Sequence, residues 1–185
     1  MTLTQDDVLR RTGGREVKAI VFTAEQIQQR VAELGAELTR AYPDGDLLLI
    51  GLLKGSFLFM ADLVRHVERP VVVDFMVASS YGDSTISSGN VRLLYDPATD
   101  LAGRHVVLVE DIVDSGNTLR RLLALLISRR PASLSVCALL DKAQMHSPFE
   151  ELKFVGFEAP PAFLIGYGLD YAEQFRHLPF IADLA

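Results

Sequence analysis

The sequence predicts an α/β fold: a mostly parallel sheet flanked by helices. Two observations carry this. The runs Leu47–Leu53 and Val106–Val109 are apolar without alternation, as strands covered on both faces require. Each run then leads through a small polar loop into a helix-period pattern. Lys54-Gly55-Ser56 precedes Phe57, Met60, Ala61 and Val64, and Asp114 to Thr118 precede Leu119, Leu122, Leu123 and Leu126. At 185 residues the chain suits one domain, 1–185, with a sizeable core.

The elements follow in order. Residues 1–16 are polar, with Gly13-Gly14 in the middle, and read as a loosely held N-terminal arm. Ile20 to Phe22 is a short strand. Thr23-Ala-Glu-Gln26 has the spacing of a capping box and opens a helix with Ile27, Val31, Leu34 and Leu38 on one face. Tyr42-Pro-Asp-Gly45 is a turn. After Leu47–Leu53 and its helix, residues 71–79 form a strand. The polar stretch from Ser80-Tyr81 to Gly89 carries two glycines and reads as a mobile lid, 80–90, or more plainly as a long hairpin. Residues 90–95 return as a strand. Residues 106–109 form the central strand, which stops on Glu110 and Asp111. The helix after it places Arg129 and Arg130 in its last turn, before Pro131. Ser133–Leu140 is the next strand and ends in Asp141-Lys142. Residues 143–151 read as a surface connection. Residues 154–157 form a short strand, Pro160-Pro161 bends the chain, and residues 178–184 pack the tail back.

Composition narrows the function classes. With 49% hydrophobic and 23% charged residues this is a soluble globular composition. A net charge of −6 gives no support to nucleic-acid or anionic-membrane partners. No stretch is long enough to span a bilayer and no apolar leader opens the chain, so a cytoplasmic location is expected. Cys137 is the one cysteine and lies in an apolar run, which makes it a buried structural thiol and excludes cysteine-based metal sites. His66, His105, His146 and His177 form no HExxH pair and no convincing triad with a serine.

The chemistry concentrates after the central strand. Ser115, Gly116, Asn117 and Thr118 feed a helix start, where backbone N–H groups and two hydroxyls suit a phosphate. Glu110 and Asp111 just upstream would repel phosphate if aimed the same way, and suit sugar hydroxyls or a metal instead. Phosphate donors beside ribose acceptors describe a cradle for a ribose 5-phosphate. A Ser-Gly-x-Thr turn alone is weak; the Glu-Asp pair after a buried strand strengthens it. The Lys54-Gly55-Ser56 loop ends another buried strand, so it faces the same crevice or is a plain tight turn. It is no Walker loop.

VVLVEDIVDSGNTL, residues 106–119, resembles the phosphoribosyl-pyrophosphate (PRPP) signature of the type I phosphoribosyltransferases. The flanking segments, from about Ile20 to the C-terminus, resemble the bacterial hypoxanthine-guanine branch in particular. The resemblance implies that family's fold, with a flexible lid and a small C-terminal hood at 154–185 that binds the base. It implies a cis peptide between Leu53 and Lys54, with Lys54 and Gly55 in the pyrophosphate loop and Arg176 as its arginine. Ser80 and Tyr81 match the flexible catalytic loop. Glu110 and Asp111 would hold the ribose and, with Asp170, a Mg2+ ion. Asp114 to Thr118 would hold the 5-phosphate, and Asp114 would serve as general base toward purine N7. Lys142 would donate to the purine 6-oxo group, Phe163 would stack on the base, and the backbone at Leu164 would read its edge. Asp170 lies in that purine-binding segment, FLIGYGLDY, and there would help hold the magnesium–pyrophosphate end.

The implied reaction is PRPP plus hypoxanthine or guanine giving IMP or GMP and pyrophosphate, in a homodimer or homotetramer. A carboxylate beside so much phosphate charge should gain proton affinity, which suits Asp114 as a base near neutral pH. Three alternatives stand beside this. One is a xanthine-preferring phosphoribosyltransferase. Another is a non-catalytic PRPP or nucleotide sensor on the same fold, which would want a basic face. The third is a generic dinucleotide-binding domain, but G-x-G-x-x-G is absent.

Overall fold

The computed structural model describes residues 4–80 and 91–185. The main sheet holds six strands in the order β4-β3-β2-β5-β6-β7. They are β2 (Leu47–Leu53), β3 (Val72–Ser80), β4 (Val91–Tyr95), β5 (His105–Val113), β6 (Ser133–Asp141) and β7 (Leu152–Glu158). All neighbours pair in parallel except β3 and β4, so the predicted mostly parallel sheet is what forms. Helix α2 (Ala24–Ala41) and helix α3 (Phe57–Leu63) cover one face, and α4 (Asn117–Ile127) covers the other.

The two faces follow from strand alternation. Val107 and Val109 join Leu47 and Leu49 beneath Ile27, Val31, Leu34, Phe59 and Leu63. Val106 and Leu108 join Leu48 and Ile50 beneath Leu119, Leu122, Leu123 and Leu126. Cys137 is fully buried, and burial raises its thiol pKa. The capping box at Thr23 forms: the Gln26 amide donates to Thr23 Oγ1 at 3.3 Å, and the Thr23 amide to Gln26 Oε1 at 2.9 Å.

Several sequence expectations need correction. The N-terminal arm is not loose throughout. Helix α1 (Gln5–Arg11) starts in a capping box between Thr4 and Asp7, and Val8 is buried in the hood core. The central strand does not stop at the acids, because β5 runs on to Val113. Helix α4 ends at Ile127, so Arg129 and Arg130 lie beyond it, and Arg130 has a φ of 57°. On α3 the buried residues are Phe59, Met60 and Leu63; Phe57 and Ala61 are exposed.

The hood also has different bounds. Residues 154–158 belong to β7 and thus to the main sheet. A separate small sheet, in the order β1-β9-β8, is made by β1 (Val17–Phe22), β9 (Ile181–Leu184) and β8 (Leu164–Ile165). Its core adds Phe175, Leu178 and Phe180. The expected lid, 80–90, lies outside the described residues, apart from the backbone of Ser80 at the end of β3; Tyr81 is among those not described. Among the described residues no helix is long and apolar enough to cross a membrane.

Candidate active site

Parallel pairing sends the carboxyl ends of β2, β5 and β6 to one edge, the usual place for ligands in open α/β sheets. The residues that follow these strands are Lys54-Gly55, Asp114 to Thr118, and Lys142. Three of the sequence-predicted site loops therefore meet at this edge.

The expected phosphate loop lines a cleft of about 130 Å³, bounded by Glu110 and by residues 112 to 119. Gly116 is the N-cap of α4, in a left-handed conformation, and no side chain caps the helix. The first-turn residues Asn117, Thr118 and Leu119 line this cleft, and no side chain caps their amides, as an anion site requires. The Lys142 amide donates to the Val113 carbonyl at 2.9 Å, which fastens the β6 end beside the loop. Its Nζ donates to Asp114 Oδ2 at 3.3 Å. The expected base and the expected purine-reading lysine are thus direct partners, a contact that the sequence reading did not anticipate. Lys142 is mostly buried, with a side chain 14% exposed, whereas Asp114 is half exposed.

Glu110 and Asp111 do not act as a side-by-side pair. In an extended strand they leave on opposite faces. Glu110 turns to the phosphate cleft, while Asp111 turns to Gly55, where an added Cβ would lie 1.7 Å from Asp111 Oδ2. Burial is the main cause that raises both proton affinities. Glu110 is held well above the usual carboxylate range, with Asp111 adding to the rise. Asp111 is pushed up to about 6, and the Ile112 amide and Arg176 pull back while Asp170 pushes further.

That shift has a sign. The folded state binds the Asp111 proton more tightly than the unfolded chain does. The associated stability is complete below about pH 4 and is lost as pH rises through about 6. Asp111→Asn cannot ionise. In the ligand-free protein it is expected to melt several degrees above the wild type at pH 8, and the gap should close toward pH 4. Thermal scans across that range check it; a gap independent of pH would contradict the assignment.

On the Asp111 side lies the expected pyrophosphate pole. The Leu53–Lys54 peptide is cis, as the resemblance implied. Arg176 donates to Asp170 Oδ1 at 2.8 Å and to the Gly168 carbonyl at 2.7 Å. The Glu173 amide donates to Asp170 Oδ2 at 2.8 Å, so Asp170 faces this pole rather than the base. Glu173, which the sequence reading missed, accepts from Lys54 Nζ at 3.0 Å and from Arg176 at 3.2 Å. It lies in a turn where Ala172, Glu173 and Phe175 all have positive φ, so no helical or strand period could have flagged it. Among the described residues Glu110, Asp111 and Asp170 do not form a three-carboxylate metal cluster. Two carboxylates with substrate oxygens and waters remain a sufficient Mg2+ set.

Gly55 is where this pole is tightest. Gly55→Ala would drive a Cβ into the Asp111 carboxylate. It is expected to cut turnover about a hundredfold, since a displacement near 1 Å at a reacting centre is enough for that. Steady-state kinetics on the purified variant check it.

At the hood, Phe163 is half exposed and meets Tyr171 edge-on at 5.7 Å. Leu164 is buried and pairs with Asp183 across β8 and β9. An exposed aromatic just before β8 suits a stacking platform.

Residues 18–172 match the model of the phosphoribosyl transferase domain family. The chain belongs to the phosphoribosyltransferase family. Within it the relatives are of one kind. A hypoxanthine-guanine phosphoribosyltransferase of Bacillus subtilis (strain 168) is 47% identical over 169 residues, covering 91% of this chain and 94% of that protein. A hypoxanthine phosphoribosyltransferase of Escherichia coli (strain K12) is 46% identical, covering 89% and 94%. Among solved structures, a hypoxanthine phosphoribosyltransferase of Staphylococcus aureus superposes with a TM-score of 0.89 at 38% identity, covering 98% of this chain and 97% of the other. The hypoxanthine-guanine enzyme of Bacillus anthracis, with a HEPES molecule in its active site, gives 0.86 at 42% identity, covering 92% and 100%. This transferase is thus a purine-salvage enzyme of the hypoxanthine-guanine branch.

Proposed function

We propose that the enzyme transfers the 5-phosphoribosyl group of PRPP to hypoxanthine or guanine, forming IMP or GMP and releasing pyrophosphate. One observation carries this reading: Lys142 lies 3.3 Å from Asp114 at the mouth of an anion cradle that β5 and β6 present together. The 5-phosphate rests on the amides and hydroxyls of residues 114 to 118. Glu110 and Asp111, at the carboxyl end of β5, take the ribose hydroxyls. Lys54, Gly55 and Arg176 receive the pyrophosphate, and Glu173 must yield its two cations for that. The C1′–oxygen bond to pyrophosphate breaks, the C1′–N9 bond forms, and the proton on purine N7 passes to Asp114. Lys142 donates to the 6-oxo group, Phe163 stacks on the ring, and the backbone at Leu164 meets its edge.

Mg2+ fits the pyrophosphate pole. Asp111 is a buried carboxylate with a raised proton affinity beside a second carboxylate, Asp170, and a divalent cation relieves that arrangement. Bound there, it would neutralise charge on the leaving oxygens. A cytoplasmic location and a homodimer or homotetramer belong to the same proposal. A relative supports the interest of assembly: work on the Trypanosoma cruzi hypoxanthine phosphoribosyl transferase concerns its C-terminal region, oligomeric state and activity.

The test is turnover with PRPP and Mg2+ and each of hypoxanthine, guanine, xanthine and adenine. Hypoxanthine and guanine should release pyrophosphate and adenine should not. Preference for xanthine would move the substrate assignment, and no release with any base would end it.

A further inference from the structure

The connection from 143 to 151 carries no chemistry in the sequence, yet it walls the back of the phosphate loop. A Cβ added at Gly116, whose φ is +71°, would fall 2.3 Å from Phe149 Cζ and 3.5 Å from His146 Cβ. The Phe149 ring therefore closes directly over Gly116. The Arg120 guanidinium sits 4.6 Å from the centroid of the same ring, and the Arg120 amide donates to the Gly116 carbonyl at 2.9 Å. Phe149 is itself anchored. The His146 side chain, only 3% exposed, lies 5.1 Å from it ring to ring, with Nε2 2.8 Å from Asp141 Oδ1. Asp141 ends β6 next to Lys142. One chain of contacts thus joins the base-reading strand end to the phosphate loop from behind.

We propose that Phe149, fixed by the buried His146–Asp141 pair, is a positioning residue for the 5-phosphate loop. Glycine visits left- and right-handed backbone about equally, so Gly116 alone does not keep its neighbours' amides convergent. The ring over it leaves one conformation and holds the Arg120 charge within a turn of the cradle. PRPP affinity is then set partly by side chains that touch no substrate. This rests on the reading of residues 114 to 118 as the 5-phosphate site.

The experiment compares Phe149→Leu, His146→Ala, His146→Gln and Arg120→Ala in the full chain, by PRPP and base KM, kcat and melting temperature. Phe149→Leu and His146→Ala should raise PRPP KM about tenfold, with kcat and base KM near wild type. His146→Gln, which can still donate to Asp141, should recover most of the loss. Arg120→Ala, on an exposed position, should raise PRPP KM several-fold without lowering the melting temperature. A lowered melting temperature with unchanged PRPP KM would overturn the proposal, because a merely structural contact behaves that way. Should Phe149→Leu and His146→Ala not fold, an unchanged PRPP KM in Arg120→Ala overturns it. A wild type that neither turns over PRPP nor binds ribose 5-phosphate would overturn the loop assignment, and this proposal with it.

Discussion

Lys142→Ala is expected to lose about 10⁴-fold in turnover of hypoxanthine and guanine while PRPP still binds. The size comes from what the side chain does on both sides. Lys142 is mostly buried, its amide is tied to the Val113 carbonyl, and its ammonium reaches Asp114. On the proposed role, removing it leaves the purine 6-oxo group without its donor, and a polar group left unpaired costs more than the hydrogen bond it loses. It also frees Asp114 from its 3.3 Å ion pair with this ammonium. The same ammonium explains the expected rejection of adenine, whose 6-amino group would set donor against donor. Lys142→Gln separates the two contributions, because an amide can still donate to the oxo group but brings no charge to Asp114. Steady-state kinetics with both bases and a PRPP-binding isotherm decide it. Unchanged kinetics for either base would remove Lys142 from base recognition.

The architecture was legible where burial writes a period into the residues. Val106 to Val109 and Leu119 to Leu126 predicted a doubly covered strand and its helix, and both formed. The site loops were legible for a related reason: strand, small polar loop and helix repeat, and parallel pairing brings the loops to one edge. The failures have particular causes. Glu110 and Asp111 looked like a strand end because carboxylates rarely sit inside strands, but pairing of Glu110 with Ala138 and Ile112 with Leu140 carries β5 past them. On α3, the apolar residues allow more than one helical phase: Met60 and Val64 pack against the core as expected, but Phe59 and Leu63 join them while Phe57 and Ala61 stay exposed. Helix α1 was overlooked although Thr4-x-x-Asp7 carries its start signal. The hood could not be bounded from local patterns, since β1 and β9 pair Val17 with Leu184 across nearly the whole chain. Glu173 and Phe149 were invisible for the same reason: each matters through a contact distant in sequence, to Lys54 and to Gly116.

Asp114→Asn should lower kcat by 10²- to 10⁴-fold, the usual span for a positioned general base, and leave PRPP affinity within a few-fold of wild type. The substitution is nearly isosteric, so the loop proposed to grip the 5-phosphate keeps its amides, and Gly116 keeps its place under Phe149. An asparagine carbonyl can still accept from Lys142 but cannot take the purine proton. The loss must therefore appear in kcat and in kcat/KM for the base together, as it does when an interaction made only in the transition state is removed. A structural role predicts the opposite division, with PRPP binding weakened as the loop loosens. The two outcomes are separated by measuring PRPP binding directly beside single-turnover rates. Wild-type turnover in this variant would take Asp114 out of the chemistry and leave Lys142 as its partner for purely structural reasons.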